Sequence, residues 1–139
     1  MCSHVNKDFL KEIYNDVKES INIVVNLTSK PYEELSNIEK YAIRYHIIVI
    51  AEAPVAIALH VTRRRYNYKP KTPIQAISFL KEALSIPEGI YNDVVNIVKL
   101  RNLLVHRYWI IDDRKIYENI KNNFGKILNF IEGVMKNVK

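Results

Sequence analysis

Apolar residues recur at every third or fourth position along most of this chain, which is the spacing of amphipathic helices and not the alternation of strands. In the first such stretch, charged side chains lie between the apolar positions Phe9, Ile13, Val17, Ile21 and Val24. Pro31 should end this helix, because proline lacks the backbone N–H that a helix interior requires. The pattern therefore predicts a first helix over residues 5–28.

The second predicted helix begins at Pro31 or Ser36 and ends at about Arg63. Its middle, residues 47–59, is apolar nearly all the way round, so it should be buried on most sides, either in a bundle or against a second copy of the chain. Pro54 should kink this helix or break one of its hydrogen bonds. Glu52 is the one acidic residue in the apolar run, and it needs a partner.

Three further helices are predicted in the rest of the chain. Thr72 and Pro73 suit the cap and the first turn of a short helix that reaches about Ser85. A strongly apolar segment from about Ile90 forms the next helix. The last helix starts at Asp112 and keeps an apolar stripe to the end of the chain. The pattern predicts an all-α fold, with one domain over residues 1–139 built as a bundle of about five helices.

The charge balance adds a candidate ligand. The 139 residues carry a net charge of +6 and a pI of about 9.4, which favours an anionic partner such as RNA. Cys2 is the single cysteine, so no internal disulfide can form, and no apolar stretch of signal-peptide length opens the sequence. Charged residues interrupt the apolar run at 41–61 in a way that a bilayer span would not tolerate. These features predict a cytoplasmic protein that does not enter a membrane.

A basic segment, residues 62–73, follows the second helix and interleaves positive charges with aromatic rings. Its cations could hold phosphates while its rings stack on unpaired bases. The alternative is a solvated helix end, where cations also balance the helix dipole. The candidate RNA-binding side chains are Arg63, Arg64, Arg65, Tyr66 and Lys69.

The densest chemistry lies in residues 101–108, Arg-Asn-Leu-Leu-Val-His-Arg-Tyr. Arg101 falls in the middle of the apolar stripe that should face the core, and a guanidinium buried there needs a carboxylate. Glu52 is the obvious partner. Two interpretations stay open: a structural ion pair, or a Glu52 carboxylate that orients Arg101 or His106 in an active site.

RNA carries its own nucleophile, the 2′-hydroxyl beside each phosphodiester, so cleavage requires a proton-transfer group and a cation. Histidine is suited to exchanging protons near neutral pH, which fits His106 to the first role. Arg101 can bond two phosphate oxygens and suits the second role. Asn102, four residues before His106 on the same helical face, could orient it. The sequence has no cluster with metal-ligand spacing and no Gly-rich phosphate loop, so neither a metal nor a cofactor is expected.

The order of Arg101, Asn102, His106 and Tyr108, with four residues between the arginine and the histidine, resembles the signature of the HepT-type toxins. These toxins form a branch of the HEPN superfamily of all-helical ribonucleases. Residues 47–53, 73–80 and 105–112 resemble the family's apolar helix with one acid, its short middle helix and the run out of its motif. The resemblance covers most of the chain, from about Tyr41 onward.

The resemblance implies a HEPN-like bundle that forms a homodimer, with Arg101 and His106 at a cleft that cleaves RNA, such as tRNA or mRNA, without a metal. It implies the toxin of a type VII-like toxin–antitoxin system. The antitoxin would be an MntA-type minimal nucleotidyltransferase that silences the toxin by attaching adenylates to Tyr108. Two alternatives remain open. Tyr108 could be a packing residue, or the bundle could bind nucleotide or substrate for a nucleotidyltransferase without cutting anything.

Overall fold

The computed structural model describes residues 5–106, 111–120 and 124–138, which form six α-helices, one 3₁₀ turn and no strand. The predicted all-α fold is therefore confirmed, with five substantial helices and one short one. In chain order, the helices are α1 (Lys7–Leu27), α2 (Asn37–Arg65), α3 (Pro73–Ala83), α4 (Glu88–His106), α5 (Asp113–Asn119) and α6 (Phe124–Lys136), and the 3₁₀ turn Tyr32–Glu34 lies between α1 and α2.

Three helices begin where side-chain caps predict that they should. Ser36 accepts a hydrogen bond from the backbone N–H of Glu39 at 3.1 Å, and the Glu39 carboxylate accepts one from the Ser36 N–H at 3.0 Å, which closes a capping box at the start of α2. Thr72 caps α3 ahead of Pro73. Asp112 caps α5 through the third backbone N–H of that helix.

Helix α2 is the centre of the bundle, because α1, α3, α4 and α6 all pack against it. By length and composition alone α2 could also cross a membrane, a property that core helices of soluble proteins share. The predicted burial of its middle is confirmed, and Pro54 lies inside a helix that is assigned without interruption. Its buried residues are Ile43, Ile47, Ile50, Ala51, Ala53, Pro54, Ile57, Ala58, Val61 and Thr62.

The prediction of one long C-terminal helix is wrong. Helix α5 ends at Asn119, where the backbone N–H of Ile120 closes the last turn on Ile116, and α6 begins at Phe124. Residues 121–123 lie outside the described residues. Asparagine and glycine have low helix propensity, and this part of the sequence contains both, so an apolar stripe that runs through it does not require an unbroken helix.

Helix α5 is held against the start of α2 and the turn before it. Arg44 donates two hydrogen bonds to the Asp113 carboxylate, at 2.7 and 2.8 Å. The Tyr117 hydroxyl donates to the backbone carbonyls of Thr28, at 3.1 Å, and Lys30, at 2.5 Å. These contacts fix where the chain resumes after the motif, because Asp113 is the first residue of α5.

Candidate active site

Arg101 and Glu52 meet where α4 crosses the middle of α2. The Arg101 Nε atom lies 2.5 Å from Glu52 Oε1, so the ion pair expected between these two residues is present. The pair is not sealed in the core, since the side chains are 29% and 47% exposed, respectively. A charge pair at this depth remains within reach of a ligand.

The guanidinium of Arg101 is oriented by two groups but is not fully hydrogen-bonded. Its Nη1 donates to the Asn102 side-chain oxygen at 2.9 Å. Its Nε is buried and, among the described residues, has no acceptor in hydrogen-bonding alignment, although the Glu52 carboxylate is close enough for a strong Coulombic contact. The side-chain oxygen of Asn102 is thus bonded to the arginine, and the orientation of His106 by Asn102 stays a prediction.

His106 is the last residue of α4, and its side chain is exposed. It is five residues beyond Arg101 on the same helix, so both candidate catalytic groups are carried by one rigid element. The side chain of Val105 beside it is also exposed. Tyr108, the candidate modification site, lies outside the described residues.

The candidate RNA-binding residues gather at the C-terminal end of α2. Arg63, Arg64 and Arg65 form its last turn and are exposed, and Lys69 is exposed in the loop that follows. Arg63 is eleven residues after Glu52, which on a regular helix corresponds to about 16 Å along the axis and about 20° of rotation. It therefore shares the helical face of Glu52.

The candidate stacking ring of Tyr66 is partly used inside the protein. It is half-buried and meets the ring of Phe79 edge-on, with 5.2 Å between the ring centroids. The next tyrosine, Tyr68, stacks on the same phenylalanine at 4.5 Å. The two rings thus attach the basic loop to α3, a contact that the sequence pattern did not reveal.

An apolar surface lies beside the Arg101–Glu52 pair. A groove of about 230 Å³ runs between α1 and α2, with Glu52 at its edge, and is lined by Ile13, Asp16, Val17, Ile48, Val49, Glu52, Ala53 and Ala56. Further along α2, the side chains of Ile38, Tyr41 and Tyr45 are mostly exposed. The sequence predicts that residues 47–59 are buried on most sides, either in the bundle or against a second copy of the chain. The most exposed apolar side chains of α2, Ile38, Tyr41 and Tyr45, lie nearer its start.

The Arg44–Asp113 pair was not among the expected contacts. The bidentate hydrogen bond to Asp113 raises the pKa of Arg44 above its ordinary value. One sequence signal could have found it, since Arg44, like Glu52, is a charge within an apolar helix and requires a partner. Three His, Cys, Asp or Glu side chains do not converge as potential metal ligands anywhere in the described ranges.

Comparison with known proteins gives consistent matches. Residues 11–134 match the family model described as Ribonuclease HepT-like. The chain is similar to the crystal structure of a toxin–antitoxin with AMP-PNP, with a TM-score of 0.80 and 16% identity over 91% of this chain and 98% of that one. It is similar to a mutant of the toxin–antitoxin MntA-HpeT, with a TM-score of 0.80 and 17% identity over 94% and 99% of the two chains.

A third solved structure, a tri-AMPylated Shewanella oneidensis HEPN toxin in complex with MNT antitoxin, gives a TM-score of 0.76 and 16% identity over 90% of this chain and 97% of that one. No curated protein sequence matches the chain. Identities this low show the shared fold alone, whereas the family model spans nearly all of α1 to α6. The chain has the fold of these HEPN toxins and belongs to the HepT-like ribonuclease family.

Proposed function

We propose that this protein is the toxin of a toxin–antitoxin pair, a cytoplasmic endoribonuclease that needs no metal ion. Arg101 and His106 are its catalytic residues. The observation that carries the proposal is the Arg101 guanidinium, which is partly exposed, held by Glu52 and Asn102, and left with one poorly aligned N–H. A phosphate could give that guanidinium the two parallel hydrogen bonds that Glu52 does not.

The reaction follows from the chemistry of RNA. His106 takes the proton from a 2′-hydroxyl, whose oxygen attacks the neighbouring phosphorus. The bond from phosphorus to the 5′-oxygen breaks, which leaves a 2′,3′-cyclic phosphate, and the 5′-oxygen takes a proton from a second, protonated imidazole. Arg101 stabilises the negative charge that accumulates on the phosphate oxygens.

The second imidazole is the reason to propose a homodimer, because the motif of one chain contains a single histidine, His106. The exposed side chains of Ile38, Tyr41 and Tyr45 and the groove beside Glu52 give α2 an apolar face that a second copy would cover. On the motif helix, Val105 is a further exposed apolar side chain that a second copy could cover. Light scattering at micromolar concentration should give twice the mass of the chain, and a monomer would contradict the dimer.

RNA on either side of the cleaved bond would contact the basic end of α2. Arg63 shares the helical face of Glu52, so a strand bound at Arg101 could pass along α2 toward it. Arg64, Arg65 and Lys69 add positive charge there, and Tyr66 contributes by holding the loop on Phe79. Phosphate contacts of this kind do not depend on base identity and weaken as salt increases.

The antitoxin we propose is an MntA-type nucleotidyltransferase that adenylylates Tyr108. Each adenylate would bring a negative charge close to the motif cation and compete with RNA. The likeness to a tri-AMPylated HEPN toxin in complex with MNT antitoxin supports this regulation. With such an enzyme, ATP and Mg²⁺, intact mass should rise by adenylate steps in the parent and stay constant in Tyr108→Phe. Equal labelling of both proteins would move the modification elsewhere.

The deciding experiment incubates the purified protein with mixed cellular RNA in EDTA. Fragments with 2′,3′-cyclic ends are expected from the parent, and His106→Ala should cut about 10²–10⁴-fold more slowly with its fold intact. An unchanged rate in His106→Ala would remove the mechanism. Intact RNA in every sample would favour the alternative, a bundle that binds nucleotide or substrate for a nucleotidyltransferase without cleaving it.

A further inference from the structure

A second hollow lies outside the candidate active site, between α3 and the basic loop that follows α2. It is open to solvent and has a volume of about 520 Å³, within the range of small-molecule sites. Its lining combines two aromatic rings with polar side chains from one face of α3. The lining residues are Tyr68, Gln75, Ser78, Phe79, Glu82 and Ala83.

The aromatic wall of this hollow is fixed in place. Tyr68 and Phe79 are stacked with 4.5 Å between centroids and 14° between ring planes. The backbone N–H of Tyr68 donates to the Thr62 carbonyl at 2.9 Å, which ties the loop to the end of α2. Asn67, with φ of 51°, reverses the chain between them, a conformation that asparagine tolerates better than most residues. Neither ring is fully buried, so a flat ligand could extend the stack.

The polar residues can distinguish one heterocycle from another. Gln75, Phe79 and Glu82 follow the helical spacing of four and three, so they share a face of α3. Gln75 Oε1 accepts a hydrogen bond from the Lys71 N–H at 2.7 Å, which leaves its amide N–H groups for a ligand. The Glu82 side chain is 80% exposed; its Oε1 accepts a long hydrogen bond of 3.4 Å from the Lys81 ammonium, and the carboxylate can also accept one from a ligand. Donors and an acceptor beside an aromatic stack are the features that read the edge of a nucleobase.

The surroundings carry the charge that a nucleotide requires. Lys69 and Lys71 are exposed in the same loop, next to the three arginines that end α2. Thr62, the anchor of the loop, is ten residues beyond Glu52, about 15 Å along a regular helix. At roughly 3.4 Å per stacked nucleotide, that distance corresponds to about four nucleotides.

We propose that this hollow is a base-binding subsite for an unpaired nucleotide of the RNA substrate, about four or more nucleotides from the cleaved bond. The base stacks on the Tyr68–Phe79 pair, Gln75 and Glu82 hydrogen-bond its edge, and the lysines hold its phosphates. A base within a duplex could not enter, because its faces and its pairing edge are occupied, so the substrate is single-stranded at this position. This inference rests on the proposed function.

Binding is measured without cleavage in His106→Ala protein, by fluorescence anisotropy with ten-nucleotide single strands of A, C, G or U. Tyr68→Ala in that background should weaken binding to each strand about tenfold, while Tyr68→Phe should stay within about twofold. Glu82→Gln should change the affinity for at least one of the four strands by about fivefold or more, and so change the order of the four affinities. Glu19→Gln, which removes the same charge from an exposed position on α1, is the matched control and should leave that order unchanged.

Two results would overturn the subsite. One is unchanged affinity in Tyr68→Ala protein that retains the helical circular dichroism of the parent. The other is a Glu82→Gln protein whose affinities for all four strands equal those of Glu19→Gln. Because Glu82 is exposed, Glu82→Gln should fold, so this second test holds even if Tyr68→Ala does not fold. If the parent cleaves RNA but the variants bind it as tightly as their background does, the subsite is wrong and the proposed function stands. If the variants alter binding but the parent does not cleave RNA, the proposed function is wrong and the binding site stands.

Discussion

Two ion pairs join α2 to the region of the motif, and they are built differently. Arg44 and Asp113 form two aligned hydrogen bonds and are 24% and 20% exposed. Arg101 and Glu52 are closer in space but more exposed, and the Nε of the arginine has no aligned acceptor within the described residues. The first pair satisfies both partners, whereas the second leaves its arginine able to gain from a better ligand.

This difference predicts that one ion pair of α2 stabilises the fold and that the other serves the candidate active site. A bidentate, partly buried pair resists replacement, because removing one partner leaves the other charge unsatisfied. An exposed and poorly aligned pair contributes little to stability. Arg44–Asp113 is therefore expected to hold α5 in position, and Arg101–Glu52 to hold a cation ready for a phosphate.

The largest expected effect comes from changing Arg101. Arg101→Ala and Arg101→Lys should both reduce the single-turnover rate of RNA cleavage by about 10²–10³-fold, since lysine keeps the charge but not the planar fork. Thermal unfolding should change little in either protein, because the pair with Glu52 is poorly aligned and its carboxylate is exposed. If Arg101→Lys cleaves RNA as fast as the parent, the planar guanidinium is not required for cleavage.

The reverse pattern is expected when the other pair is broken. Arg44→Met should lower the free energy of unfolding by about 2 kcal/mol, because Asp113 loses two charge-assisted hydrogen bonds, while cleavage falls less than about fivefold. Urea titration followed by circular dichroism measures the stability.

The matched control is Arg114→Met, which breaks the exposed contact of the same helix with Glu33 and should lower stability by less than about 0.5 kcal/mol. If both variants lose the same stability, burial does not distinguish the pairs. If Arg44→Met cuts RNA as poorly as Arg101→Ala, Arg44 belongs to the active site.

The starts of α3 and α5 and the partner of Arg101 could be predicted from the sequence, because each follows from local or unique chemistry, whereas Pro31 and Ser36 both stayed candidates for the start of α2. Ser36, Thr72 and Asp112 cap helices through residues three positions away, so their role needs no tertiary information. Glu52 is the one acid in a buried apolar run, which left Arg101 an obvious partner. The break between α5 and α6 was missed because the apolar stripe continues through it.

Contacts between distant residues could not be predicted in the same way. Arg44 and Asp113 are 69 residues apart, and several other acids could have satisfied that arginine. Exposure is also set by packing, so the sequence could not show that the Arg101–Glu52 pair lies near the surface. The aromatic rings of the basic segment were candidates for stacking on RNA bases, and the contacts of Tyr66 and Tyr68 with Phe79 could not be predicted because they depend on how α3 folds back on the loop.

A third contact of α2, made by His60, should make the stability of the protein depend on pH without affecting the candidate active site. The Nε2 atom of His60 accepts a hydrogen bond from the Asn6 N–H at 2.9 Å, and its ring packs on Phe9. Burial lowers the pKa of His60 below its ordinary 6.5, and the charge of Arg64 lowers it further. The unfolded chain therefore binds the proton more readily, so stability is full above pH 6.5 and falls as pH decreases below it.

The change between pH 8 and 5 should be on the order of one neutral hydrogen bond, about 1 kcal/mol. If this pH dependence of stability disappears in His60→Gln, which retains a hydrogen-bond acceptor, the change is due to the contact between His60 and Asn6. Cleavage by His60→Gln should keep the pH profile of the parent, because the proposed mechanism assigns proton transfer to His106 and not to His60. A shifted cleavage profile would mean that the anchor of α1 also affects the motif.

The smallest effect, and the one that tests the comparison most directly, is expected from Glu52→Gln. Glutamine keeps the size of the side chain but removes a negative charge close to the proposed phosphate position. At the exposure of this site, repulsion between the carboxylate and a phosphate is on the order of 0.5–1 kcal/mol, so the KM for RNA should fall about threefold. The kcat should stay within about twofold and unfolding should change by less than about 1 kcal/mol, because the pair is exposed and poorly aligned. Steady-state cleavage at low salt measures both constants, and Glu19→Gln controls for net charge.

A large loss of kcat with unchanged KM would instead assign Glu52 to the orientation of Arg101 in the transition state. A large loss of stability would make the Arg101–Glu52 pair structural, like Arg44–Asp113.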